Sequence, residues 1–135
     1  MDAKAIEDLL YRRSGLLGVS GISSDMRKLR QSTAPEAVEA IALFVYRIVR
    51  ETGSLAAALG GLDGLVFTAG IGENDPATRA EVATGCSWLG VALDRDRNAA
   101  GRGIISRDGA KVKALVVPTD EERMIARYTG KVLGF

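Results

Sequence analysis

The segment from Leu65 to Pro76 constrains the fold more than any other stretch of this chain. Leu65-Val-Phe-Thr68 is a short apolar run of strand length, and it passes directly into Ala69-Gly-Ile-Gly-Glu-Asn74. Asp75 is a good N-cap and Pro76 a good first helical residue, so a helix is predicted from there toward Cys86. A buried strand that turns through two glycines into a capped helix is a unit of an α/β sheet. Glycine admits positive φ and close approach of the backbone to a ligand. A helix start adds unpaired N–H groups and a positive dipole end, which suit a phosphate. The same pattern also fits a plain strand-to-helix turn in which the glycines satisfy geometry alone. Two phosphate motifs are excluded. Asp75 occupies the third-glycine position of G-x-G-x-x-G, and no Gly-Lys-Ser/Thr follows to make a P-loop.

The flanking segments extend this α/β pattern. Ile6, Leu9 and Leu10 predict a short amphipathic helix that stops near Gly15, and the small, polar stretch from Gly18 to Asp25 reads as a loop. A long helix is expected from Thr33, where Thr33 and Glu36 stand at capping-box spacing and Pro35 fits the first turn. Val38, Ile41, Val45 and Ile48 recur along it at helical spacing, widened by Phe44 and Val49. Gly53 is a weak point in this helix and Gly60-Gly61 its end. Residues 90–108 carry no clear pattern, apart from a turn over Ser106-Arg-Asp-Gly-Ala110. Val112 to Val117 predicts a strand ended by Pro118, with a last helix from Thr119. The expected architecture is a short mixed sheet covered by helices in one domain, or part of one, over residues 1–135.

Histidine is absent from the 135 residues. That removes the commonest general base, the Ser–His and Cys–His nucleophile pairs, and histidine zinc sites. Chemistry here falls to carboxylates, arginines, lysines, backbone amides or a bound metal. Eighteen Lys plus Arg against seventeen Asp plus Glu give a net charge of +1, which offers no electrostatic case for nucleic acid or a membrane surface. No apolar run approaches the roughly 20 residues of a membrane span, and the first segment has no signal-peptide character. The single cysteine, Cys86, reads as a small buried hydrophobe, and Trp88 as core. Cytoplasm is the expected location.

Two polar segments are candidates for ligand contact. In Ser23-Ser-Asp-Met-Arg27, Arg27 suits a phosphate or the face of a base, and Asp25 suits a ribose hydroxyl or base amine. A surface ion pair is the ordinary alternative. In Val116-Val-Pro-Thr-Asp-Glu-Glu-Arg123, Thr119 and Glu122 have capping-box spacing, which leaves Asp120 and Glu121 to point outward. A carboxylate there suits Mg²⁺, a hard ion with oxygen ligands. Acids in a first helical turn also serve the helix dipole alone.

Four ordered stretches resemble the acetate kinase family within the acetokinase group, over nearly the whole chain. They are Asp8-Leu-Leu-Tyr-Arg-Arg-Ser-Gly-Leu-Leu-Gly-Val-Ser-Gly21, Ser23-Ser-Asp-Met-Arg27, Phe67-Thr-Ala-Gly-Ile-Gly-Glu-Asn74 and Val117-Pro-Thr-Asp-Glu-Glu122. The resemblance implies part of the actin/Hsp70/sugar-kinase-like (ribonuclease H-like) fold, and specifically the C-terminal, nucleotide-binding portion of a longer enzyme. It implies that Asp25, Met26 and Arg27 contact the adenosine of ATP or ADP. By the same resemblance Gly70, Ile71, Gly72, Glu73 and Asn74 line the other side of the pocket, and Glu121 serves a Mg²⁺ site. Asp120 stands where many relatives have Asn.

The family reaction moves the ATP γ-phosphoryl group to acetate, giving acetyl phosphate and ADP. The family's catalytic aspartate, acetate-site arginine, and transition-state histidine and arginine lie upstream of the matching segments. The chain alone is therefore expected to bind nucleotide without catalysing transfer, and acetate or acetyl phosphate is expected only with the full-length enzyme. The resemblance also implies a homodimer. The alternatives are a piece of a propionate or butyrate kinase, or a non-catalytic nucleotide-binding or dimerisation module.

Overall fold

The long predicted helix organises the packing. In the computed structural model, which describes residues 1–134, it runs unbroken over Pro35–Leu59. Three shorter helices precede it: α1 (Ala3–Arg12), α2 (Gly15–Ser20) and α3 (Met26–Gln31), which makes Pro35–Leu59 α4. The remaining elements are β1 (Gly64–Phe67), α5 (Ala69–Asn74), α6 (Pro76–Gly85), α7 (Arg95–Ala100), β2 (Gly103–Ile104), β3 (Lys113–Val116) and α8 (Glu121–Leu133), with a 3₁₀ turn at Ser87–Leu89.

The sheet is mixed, with strand order β1-β3-β2. β1 pairs in parallel with β3, Leu65 opposite Ala114 and Phe67 opposite Val116, while β2 runs antiparallel to β3. Its covered face buries Phe67, Ala114 and Val116 with Val82 and Ala83 of α6 and the adjoining Cys86, and Val45, Ile48 and Val49 of α4 pack against them. Gly85 permits this helix crossing, since a Cβ there would come within 2.6 Å of Val49 Cγ2. A second core gathers Met26 and Leu29 of α3 with Ala37, Ala40 and Ile41 of α4, and Leu16, Phe44 and Ile71 pack on it. One helix therefore serves both cores, its first half holding α2 and α3 and its second half holding the sheet. No helix among the described residues is long and apolar enough to cross a membrane.

The predicted strands, the Asp75–Pro76 helix start, the stop at Gly60-Gly61 and the burial of Cys86 match the structure. Several local expectations need correction. The helix expected from Thr33 has Ala34 as its N-cap, with no side-chain cap bond, so Thr33 and Glu36 form no capping box. The residue before a proline is driven into extended backbone, and Ala34 takes that conformation, with φ −65° and ψ 136°. The loop expected over residues 18–25 is shorter, because Gly18, Val19 and Ser20 belong to α2. Gly53 does not interrupt α4. It faces the Trp88 indole, which a Cβ at Gly53 would meet at 3.4 Å. Trp88 is 67% exposed and lies outside both cores. It sits in the 3₁₀ turn after α6, with its ring beside Gly53 of α4.

Candidate functional site

The two sequence segments thought to flank a ligand meet in space. A cavity of about 590 Å³ lies between them, lined by Asp25, Met26 and Arg27 on one side and Gly70, Ile71 and Asn74 on the other. Their meeting has an apolar foundation, since buried Met26 belongs to the same core that Ile71 packs against.

Asp25 caps α3 by accepting the Arg27 N–H at 2.9 Å. The Arg27 guanidinium returns to the same carboxylate, donating from Nε to Oδ1 at 3.1 Å and from Nη2 to Oδ2 at 2.8 Å. These bonds from Arg27 hold the Asp25 carboxyl below the usual aspartate range. The surface ion pair thus exists, and both partners also line the cavity. Their segment is the first turn of a helix rather than a loop.

The glycine segment departs further from expectation. Residues Ala69–Asn74 form a short helix, not an open turn. The positive φ falls on Ala69, at 58°, and neither Gly70 nor Gly72 has one. Gly72 serves closeness instead: a Cβ there would stand 3.2 Å from the Phe67 carbonyl carbon, a tight approach that glycine spares as α5 folds back on the end of β1. Gly70 meets nothing within 4 Å and borders the open cavity. The phosphate-friendly start expected for α6 is filled by its own cap, because Asp75 Oδ1 accepts the N–H groups of Ala77 and Thr78 at 3.0 and 3.1 Å.

Gly72 and Glu73 stand behind this wall. The Glu73 carboxylate accepts the Thr119 N–H at 2.9 Å and its hydroxyl at 3.1 Å, tying α5 to the connection between β3 and α8. Asn74 Nδ2 donates to the Gly70 carbonyl at 2.9 Å, closing α5 on itself. Since Thr119 is engaged with Glu73, the capping box expected with Glu122 does not form. Asp120 caps α8, accepting the Arg123 N–H at 3.0 Å. Glu121 is exposed in the first turn of α8, outside the cavity wall. Among the described residues no cluster of three or more Asp, Glu, His or Cys side chains stands at ligating distance for a metal.

Two arginines that hold these walls escaped the sequence reading. Arg79 of α6 is 1% exposed and donates to the carbonyls of Gly72 and Glu73, each at 2.8 Å, and to Asn98 Oδ1 at 2.8 Å. The buried cation thereby faces the negative end of α5. Burial pushes its guanidinium below the usual value, opposed by the Asp75 charge. Its signal in the sequence is position: Arg79, Val82, Ala83 and Cys86 share one helical stripe, so a charge on that stripe must be internal. Arg30 of α3 also lines the cavity and reaches Asp75, Thr78 and Glu81.

A short mixed sheet with helices on one face, and a cavity where the α3 and α5 segments meet, is part of the actin/Hsp70/sugar-kinase-like fold. An acetate kinase from Porphyromonas gingivalis superposes with a TM-score of 0.87 at 42% identity, covering 98% of this chain and 35% of its own. A propionate kinase from Francisella tularensis superposes with a TM-score of 0.84 at 32% identity, covering 94% and 33%. The profile of the acetokinase family matches residues 1–127, and the chain belongs to that family. It is 61% identical over 134 residues to an acetate kinase of Rhodopseudomonas palustris, which covers 98% of this chain and 34% of that protein. The chain spans about a third of the length of the curated relatives it matches.

Proposed function

We propose that this chain is the C-terminal, nucleotide-binding portion of an acetate kinase, an enzyme of the cytoplasm that moves the γ-phosphoryl group of ATP to acetate. One observation carries the reading: Asp25, Met26 and Arg27 line one cavity with Gly70, Ile71 and Asn74, far apart in sequence. In this reading ATP or ADP enters between them. Arg27, whose side chain is 86% exposed, offers a guanidinium face to the base or a phosphate, while Asp25 keeps that guanidinium in place. Gly70 leaves room for the ligand and Ile71 supplies an apolar surface.

The donor chemistry fits Mg²⁺ only in part. Mg²⁺ is commonly held by one or two carboxylates together with substrate phosphates and water. Glu121 is a free exposed carboxylate of that kind, while Asp120 is occupied as a helix cap. Bound Mg²⁺ would supply charge neutralisation on the phosphates. The Glu73–Thr119 bonds hold the start of α8, and so Glu121, in a fixed relation to α5.

Phosphoryl transfer depends on alignment and charge neutralisation of the reacting groups. The acyl pocket and transfer residues are assigned to sequence outside these 135 residues, so the chain by itself is expected to bind ADP without forming acetyl phosphate. Calorimetric titration with ADP, with and without Mg²⁺, tests the reading, and absence of saturable binding would refute it for the isolated chain. Formation of acetyl phosphate from ATP and acetate by the isolated chain would overturn the division of roles. The match to a propionate kinase keeps a longer acyl substrate as the second reading. Comparing acetate, propionate and butyrate in an enzyme carrying this segment separates the two.

A further inference from the structure

We propose that Arg30 is a positioning residue for the cavity, a clamp that holds the Asp25–Arg27 wall at a fixed separation from the Gly70–Asn74 wall. The inference deepens the nucleotide reading and rests on it for the identity of the ligand.

Arg30 sits in the helix whose first turn carries Asp25, Met26 and Arg27. Its guanidinium crosses to α6, 45 to 51 residues away in sequence. Nε donates to Asp75 Oδ2 at 3.2 Å, Nη1 to Glu81 Oε1 at 2.8 Å, and Nη2 to Glu81 Oε2 at 2.7 Å and Thr78 Oγ1 at 2.8 Å. Two parallel bonds to Glu81 make a fork whose planar geometry fixes direction as well as distance. Asp75 is the hinge of the arrangement, because it is both the residue after α5 and the N-cap of α6. Holding Asp75 therefore fixes where α5 ends relative to α3.

Glu81 is 43% exposed, and it is the Arg30–Asp75 pair that differs from the exposed ion pairs elsewhere on the chain. The Arg30 and Asp75 side chains are only 24% and 15% exposed, so solvent screens the pair less than Arg47–Glu51 or Arg50–Glu51. Burial alone would push the Asp75 carboxyl up, but hydrogen bonds from Thr78 and Arg30 hold it below its usual value. Between the walls, Ile71 also makes an apolar contact with the core that holds Met26 and Leu29. Apolar contact is non-directional, so angular alignment of the walls falls to the guanidinium.

Hydrogen exchange on the intact chain tests the clamp, with Arg30→Met, Arg30→Lys and the remote core variant Val112→Ala compared with wild type. Arg30→Met is expected to speed exchange of amides in α3 and at Asp75 about tenfold while the β1 and β3 amides keep their rates, the loss expected for charged hydrogen bonds. Val112→Ala should act on the sheet instead. ADP affinity should fall about tenfold in Arg30→Met, by less in Arg30→Lys, and remain at the wild-type value in Val112→Ala. Uniform or unchanged exchange in Arg30→Met, or wild-type ADP affinity, overturns the proposal, and Arg30→Lys decides it if the methionine variant does not fold. Should wild type bind no ADP while the exchange response stays local, the nucleotide reading falls and the clamp stands.

Discussion

The Glu73 carboxylate accepts both the backbone N–H and the hydroxyl of Thr119, at 2.9 and 3.1 Å, so two family-like segments 46 residues apart are joined at one oxygen. The Thr119 N–H, opposed by desolvation and aided by the hydroxyl, holds Glu73 below the ordinary glutamate value.

This bond makes a pH prediction with a definite sign. A carboxyl depressed on folding contributes stability that is present above its unfolded value, about 4.3 for glutamate, and is lost as pH falls through the lower folded value. Wild type should therefore lose more thermal stability between pH 7 and pH 3 than Glu73→Gln, when melting is followed by circular dichroism at both pH values. Equal losses in the two proteins would show that Thr119 does not favour the charged carboxylate.

Arg79 is expected to be among the most sensitive positions for stability. Arg79→Met leaves the carbonyls of Gly72 and Glu73 and the Asn98 side chain without a donor inside the protein. Unpaired buried acceptors of this kind cost about 2–4 kcal/mol in total. Urea unfolding should show that loss, with Asn98→Ala losing about 1–3 kcal/mol. The two effects should be less than additive in the double variant, since they remove one network.

The two glycines of α5 should respond oppositely to alanine. At Gly70 a Cβ meets nothing, so Gly70→Ala should raise stability by up to about 1 kcal/mol through helix propensity. At Gly72 the Cβ meets the Phe67 backbone at 3.2 Å, and Gly72→Ala should lower stability by about 1–2 kcal/mol as α5 is pushed off β1. Denaturant midpoints decide both. A larger side chain at Gly70, such as valine, should obstruct the cavity and weaken ADP binding without unfolding the chain.

Much of the framework was legible along the chain, for local reasons. Pro118 follows β3 and cannot donate to a sheet ladder, Gly60 and Gly61 take positive φ where α4 stops, and Asp75 followed by Pro76 starts a helix almost regardless of context. The caps were less legible where neighbours competed. Thr33 lost to the backbone imposed by Pro35, and Thr119 was drawn away from α8 by Glu73. Residues 90–108 showed no pattern because distant partners hold them: Val91 bridges Val112, Leu93 bridges Ser106, and Arg97 donates to Asp108 at 2.8 and 3.0 Å. No periodicity in a short window encodes such pairings.

By itself the sequence determined the element types, the α/β class and the family, since strand-glycine-helix order, helical stripes and the four motifs are all properties of neighbours. Tertiary structure alone decided how those motifs act. It put Asp25–Arg27 opposite Gly70–Asn74, turned the glycine turn into a short helix packed on Phe67, and filled the expected anion site at α6 with Asp75. The physical reason is that directional bonds across long sequence separations, from Arg30 to Glu81 and from Glu73 to Thr119, form only once the two cores have brought their ends together.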